Sequence, residues 1–129
     1  MRADADRALR VLRARSDGAG AASYAQLYFE SLLLQLRDLV TAEAQPPTGA
    51  YQRLVAHDAA RGGDLLATLR AYLDAFGDVN AASAAVHVHP NTFRYRLRRL
   101  SEVSGLDLAD PDARLAVHLQ LRLYERDGG

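Results

Sequence analysis

The sequence predicts an all-α fold, a multi-helix bundle, from three features. Apolar residues recur at three-and-four spacing, glycine or proline interrupts the chain about once per helix length, and a capping aspartate or a proline opens several segments. Residues 4–15 read as a helix with Leu9 and Leu12 on one face and arginines on the other. The Gly-rich stretch from Ser16 to Ala22 breaks it. From Tyr24 to about Glu43 the chain is strongly apolar, and its length and leucine content favour a helix at least from Phe29 onward. Tyr24 to Tyr28 is compatible with a short strand. Gln45 to Gly49, with two prolines, stops the element.

Residues 50–58 form a short helical stretch that Gly62 and Gly63 end. Asp64 then stands as the cap of a helix running to Phe76, with Leu65, Leu69, Tyr72, Leu73 and Phe76 at helical spacing and Gly77 as its left-handed terminator. Asp78 or Asn80 can cap a helix through Val86, and a tight turn follows at His87-Val88-His89. Pro90 suits the first position of a helix running to about Ser104, which Gly105 ends. Asp110 and Pro111 start a last helix running to Arg126. There Leu115, Val117, Leu119, Leu121 and Leu123 alternate with a strand's period, but the cap, the length and the helical surroundings favour a helix.

The 129 residues suffice for one modest domain or a small domain with an appendage, and about half are apolar, so a packed core is within reach. The absence of cysteine excludes disulfides, thiolate metal sites and cysteine nucleophiles, and fits a cytoplasmic protein. No apolar run approaches the ~18 residues of a membrane span. The charged stretch Met1 to Arg15 does not read as a signal peptide. The net charge is zero, and all 16 basic residues are arginine, which together with the alanine content points to a GC-rich genome. The arginines are unevenly placed: Arg94, Arg96, Arg98 and Arg99 fall within one short stretch, with only Glu102 as a nearby acid.

Those arginines sit in a recognisable arrangement. Residues 80–104 combine a short Ala-rich helix, a turn and a second amphipathic helix, which is a helix-turn-helix pattern. Ala82, Ser83 and Ala85 allow a close crossing, while Phe93, Leu97 and Leu100, at i, i+4 and i+7, place one face of the second helix inside. Asn91, Tyr95, Arg98 and Arg99 then lie roughly opposite the buried stripe, and His89, Thr92 and Arg94 flank the helix start. In this motif the start of the second helix meets base edges in the major groove of double-stranded DNA. Asparagine pairs with adenine, arginine with guanine, and a threonine methyl touches thymine. Asn91, Thr92 and Arg94 are therefore expected toward bases, and His89, Tyr95, Arg98 and Arg99 toward phosphates. Arg96 lies beside the buried stripe and is expected in a salt bridge to Asp107 or Glu102.

The stretch VHVHPNTFRYRLRRLSEVSGLDLADPDARLAVHLQL resembles the C-terminal domain of the PucR/CdaR family of bacterial transcriptional regulators. The likeness is carried by Val88, His89, Asn91, Thr92, Tyr95, Arg96 and Leu97, and again by Gly105, Leu106, Asp107, Leu108 and Pro111. Upstream, DLLATLRAYLDAFGDVN is similar to that family's preceding helix and the asparagine after it. The helix-turn-helix is also similar to that of Fis-type nucleoid proteins. Pro90 stands where the family usually has arginine, and Ser83 where it usually has alanine. The resemblance implies a DNA-binding domain at residues 50–127, and residues 1–44 as the helical tail of a preceding regulatory domain or a dimerisation segment. An effector small molecule would then act only through that missing regulatory domain. A homodimer is expected, because one recognition helix buries little surface.

Two other classes compete with this reading. A helical protein–protein module is favoured slightly by the neutral total charge and by Pro90. An enzyme has little support: Ser31, Ser83, Ser101 and Ser104 sit in no nucleophile motif, and GAG at 18–20 reads as a linker. His87 and His89 would need further ligands from His57, His118 or acids to hold a metal, so no metal or cofactor is expected.

Overall fold

The computed structural model describes residues 23–43 and 47–124. Among these residues there are six α-helices and no strand, so the fold is all-α as expected. They are α1 (Tyr24–Glu43), α2 (Gly49–Arg61), α3 (Leu65–Asp74), α4 (Val79–Ala85), α5 (Pro90–Ser104) and α6 (Pro111–Tyr124). The helix expected at 4–15, the break at 16–22, most of the proline stop and the end of the last helix beyond Tyr124 lie outside the described residues. The chain divides into two compact units, Met1–Pro46 and Pro47–Gly129. No helix of the described residues is long and apolar enough to cross a membrane.

In the first unit, α1 is helical from Tyr24, so the strand considered for Tyr24 to Tyr28 does not form. The reason is a local cap: Ser23 Oγ accepts the Gln26 amide at 3.1 Å, and Ser23 O accepts the Leu27 amide at 3.1 Å. Leu33 is buried, while Tyr24, Tyr28, Leu32 and Leu39 are exposed.

The second unit has its own core. Leu54 of α2, Leu65 and Leu69 of α3, Leu100 of α5, and Val117 and Leu121 of α6 form one buried cluster. Tyr51 joins it, stacked on Tyr124 with ring centroids 5.7 Å apart. Val117 and Leu121 are four residues apart, so the alternating leucines of α6 resolve into one helical stripe, and Leu115 is left exposed. A second cluster of Ala71, Ala82 and Phe93, flanked by Val79, Val86, Val88 and Leu97, holds α4 and α5 against α3.

Three helix ends differ from expectation. α2 continues past Asp58 to Arg61 and stops at Gly62, whose φ of 61° is left-handed. Asp64 does precede α3, but its carboxylate does not cap it. Asp58, near the end of α2, does so instead: its two carboxylate oxygens accept the Leu65 and Leu66 amides at 3.1 and 3.0 Å. The Gly62-Gly63 turn folds back far enough for a residue one turn upstream to serve amides that have no partner in their own helix. At the other end, α3 finishes at Asp74 rather than Phe76. The Gly77 amide bonds to Tyr72 O at 2.9 Å and the Phe76 amide to Leu73 O at 3.1 Å, the paired closure of a Schellman turn. Phe76 therefore occupies the left-handed position at φ 55°, ahead of Gly77 at φ 82°.

Candidate nucleic-acid interface

The site is built from α4, its turn and α5. Asp78 caps α4 by accepting the Ala81 amide at 3.1 Å, settling the choice between Asp78 and Asn80. Ala82 and Ser83 are buried, and the Ser83 hydroxyl donates to Asn80 O at 3.0 Å. A serine at this crossing thus has its polar atom satisfied within its own helix. The turn is a second Schellman closure: the Val88 amide bonds to Ser83 O at 3.0 Å and the His87 amide to Ala84 O at 3.2 Å. His87 takes the left-handed position at φ 59°. Val88 turns inward, packing against the cluster of Ala71, Ala82 and Phe93.

α5 starts at once. Pro90, locked near the helical φ, occupies the first turn, and His89 is the cap, its Nδ1 accepting the Asn91 amide at 3.0 Å. Acceptance at Nδ1 places the ring proton of the neutral imidazole on Nε2. Phe93 and Leu100 are fully buried and Leu97 half-buried, which fixes the rotation of the helix. The C-terminal end is held too. Ser104 Oγ donates to Leu100 O at 2.7 Å and accepts the Leu106 amide at 3.1 Å, while Arg53 Nη1 donates to Ser104 O at 3.2 Å. Gly105, at φ 74°, ends the helix as expected.

With that rotation fixed, Asn91, Arg94, Tyr95 and Arg98 stand at i, i+3, i+4 and i+7 on the outer face, all exposed. Thr92 is exposed at one margin of this stripe. Arg94 Nη1 donates to Asn91 Oδ1 at 3.0 Å, so these two side chains are already joined. Tyr95 is 60% exposed. Thr92, Tyr95 and Arg98 have no side-chain partner among the described residues. Arg99 differs: it is partly covered and lies 3.6 Å from Glu102. Arg96 forms a salt bridge, but to Asp64 at 2.9 Å and not to Asp107 or Glu102. Glu102 faces Arg99, and Asp107 Oδ1 accepts the Ala109 amide in the turn after α5. No local signal points to the Asp64 contact, because 32 positions separate it from Arg96 and its place before α3 reads as a cap. Among the described residues no three His, Asp or Glu side chains group to hold a metal ion.

Comparison with known proteins agrees with this geometry. Residues 65–123 match the PucR C-terminal helix-turn-helix domain. The chain is 27% identical over 124 residues to the DNA-binding transcriptional activator AdeR of Bacillus subtilis (strain 168), covering 93% of this chain and 29% of AdeR. It is 49% identical over 45 residues to the carbohydrate diacid regulator of Escherichia coli (strain K12), covering 35% of this chain and 12% of that protein. With the purine catabolism regulatory protein of Bacillus subtilis (strain 168) it shares 36% identity over 59 residues, 46% of this chain and 11% of the relative. The chain thus spans less than a third of the length of each of these relatives. No solved structure matches it.

Proposed function

We propose that α5 is the recognition helix of a PucR-type helix-turn-helix domain, the domain that residues 65–123 match, and that it lies in the major groove of double-stranded DNA. The observation that carries this reading is the outer stripe of α5: Asn91, Arg94, Tyr95 and Arg98 exposed together, opposite the buried Phe93 and Leu100. Asn91, Thr92 and Arg94, in the N-terminal part of the helix, address base edges. The second lone-pair direction of Asn91 Oδ1 and its free amide group still match the acceptor and donor of adenine. His89 through Nε2–H, Tyr95, Arg98 and Arg99 address phosphates. Arg99 contributes less than Arg98, since Glu102 already opposes its charge.

The module acts in a homodimer within the bacterial cytoplasm. Residues 1–44 belong to the tail of a preceding regulatory domain or to a dimerisation segment, and an effector acts through that domain. The short share of AdeR that this chain covers supports the larger parent.

Titration of duplex DNA by fluorescence anisotropy at several salt concentrations tests the reading. Arg98→Ala should weaken binding on all sequences and lower the salt slope by about 1. If neither Arg98→Ala nor Arg99→Ala changes the slope, the phosphate assignment fails. In a binding-site selection, Asn91→Ala should broaden the base preference at one position, and an unchanged preference would remove Asn91 from base readout.

A further inference from the structure

Two of the side chains on the outer face of α5 are not independent of each other. Arg94 Nη1 donates to Asn91 Oδ1 at 3.0 Å, and both residues are exposed. Their backbone is held from beneath. Phe93, between them in the chain, is fully buried, and the Asn91 amide is tied to His89 Nδ1 at 3.0 Å. On that fixed base the bond gives the Asn91 carboxamide a direction: its oxygen faces Arg94, and its amide group faces away.

What remains on each partner has a definite chemistry. A carboxamide oxygen has two acceptor directions, so Asn91 keeps one acceptor and both donors, the complement of adenine N6 and N7. A guanidinium carries five donors in one plane, and the bond to Asn91 takes up one of them. Because the engaged atom is a terminal nitrogen, a two-donor edge survives whichever of its hydrogens is used. That edge matches guanine O6 and N7. The two groups are joined at 3.0 Å, and successive base pairs stack about 3.4 Å apart along the duplex. Groups held this close, three residues apart on one helix, reach neighbouring base pairs.

We propose that Asn91 and Arg94 read DNA as one unit, a step of two base pairs with adenine under Asn91 and guanine under Arg94, and that Arg94 is also the positioning residue for the Asn91 carboxamide. The inference rests on α5 as the recognition helix and adds to it the identity of a step. It also makes one base preference depend on the other residue. Holding a side chain in its bound orientation before contact removes part of the ordering that binding otherwise requires. Without the Arg94 donor the carboxamide turns freely, and adenine loses its fixed partner.

The test uses the full 129-residue chain and a library of duplexes with a randomised core. The parent should select adenine and guanine at adjacent positions. Asn91→Ala should relax the adenine position and leave guanine preferred. Arg94→Ala should relax both, guanine by about tenfold, the scale of one bidentate contact, and adenine by severalfold. Arg94→Lys should lose the guanine preference yet keep adenine preferred, because an ammonium still donates to Asn91 Oδ1 but lacks the planar fork. Both side chains are exposed, so the melting temperatures of the variants should match the parent's, which separates these effects from misfolding. An adenine preference untouched by Arg94→Ala, other bases at these positions, selected positions that are not adjacent, or a lower salt slope with intact base preference would overturn the proposal. The recognition reading survives each of those results. It fails if no α5 variant, Arg98→Ala included, changes binding to any duplex, and the paired reading then fails with it.

Discussion

At the scale of single residues, buried polar groups decide more than the exposed charges do. Asp58 supplies both of its oxygens to the first amides of α3 in a half-buried setting. Asp58→Ala would strand two donors and should cost about 1–2 kcal/mol, seen as a lower urea midpoint at constant slope. Asp58→Asn keeps one acceptor and should lose less. Tyr51 makes a different prediction. Burial raises its phenol above the ordinary value near 10, against a lowering by the Arg70 charge and with a smaller raising by Tyr124. The folded state therefore holds the proton more tightly than the unfolded chain does. That contribution is fully present below the ordinary tyrosine value and is lost as pH rises from there through the raised value. Tyr51→Phe retains a ring to stack on Tyr124. Above pH ~10 the parent should lose stability faster than this variant; parallel decline of the two melting curves would contradict it.

At the scale of elements, α5 is the case in which sequence and structure meet most closely. Its start at Pro90, its end at Gly105 and the burial of Phe93 and Leu100 all follow from local signals: a proline, a glycine and a spacing of seven. What local signals could not supply was the partner of Arg96. Asp64 reaches it at 2.9 Å only because α3 and α5 share the core around Leu69 and Leu100. The same holds for Asp58, whose capping role depends on the backward turn at Gly62-Gly63, and for Phe76, whose neighbour Gly77 looked the better left-handed residue. In each case a side chain had two plausible local uses, and tertiary packing chose. Since Asp64 is half exposed, Arg96→Ala should cost less than about 1 kcal/mol in stability. It should also leave the salt slope of DNA binding unchanged, unlike Arg98→Ala. An equal drop in slope for both would show that Arg96 leaves its aspartate on the DNA.

At the scale of the whole molecule, the second unit encloses its own core. Tyr51, Leu54, Leu69, Leu100, Val117 and Leu121 all come from residues within it. A fragment of residues 47–129 should therefore fold alone, with one cooperative thermal transition and the DNA affinity per half-site of the full chain. A fragment without a cooperative transition would mean that the first unit completes the core. Within the second unit, α5 is fastened along its length: by its cap at His89, by Arg96 to Asp64 at its middle, and by Arg53 to Ser104 at its end. A helix braced in this way behaves as a fixed blade on a rigid handle. In the dimer proposed above, a regulatory signal would then have little means of bending the reading head itself, and would act by changing the distance and angle between two such heads.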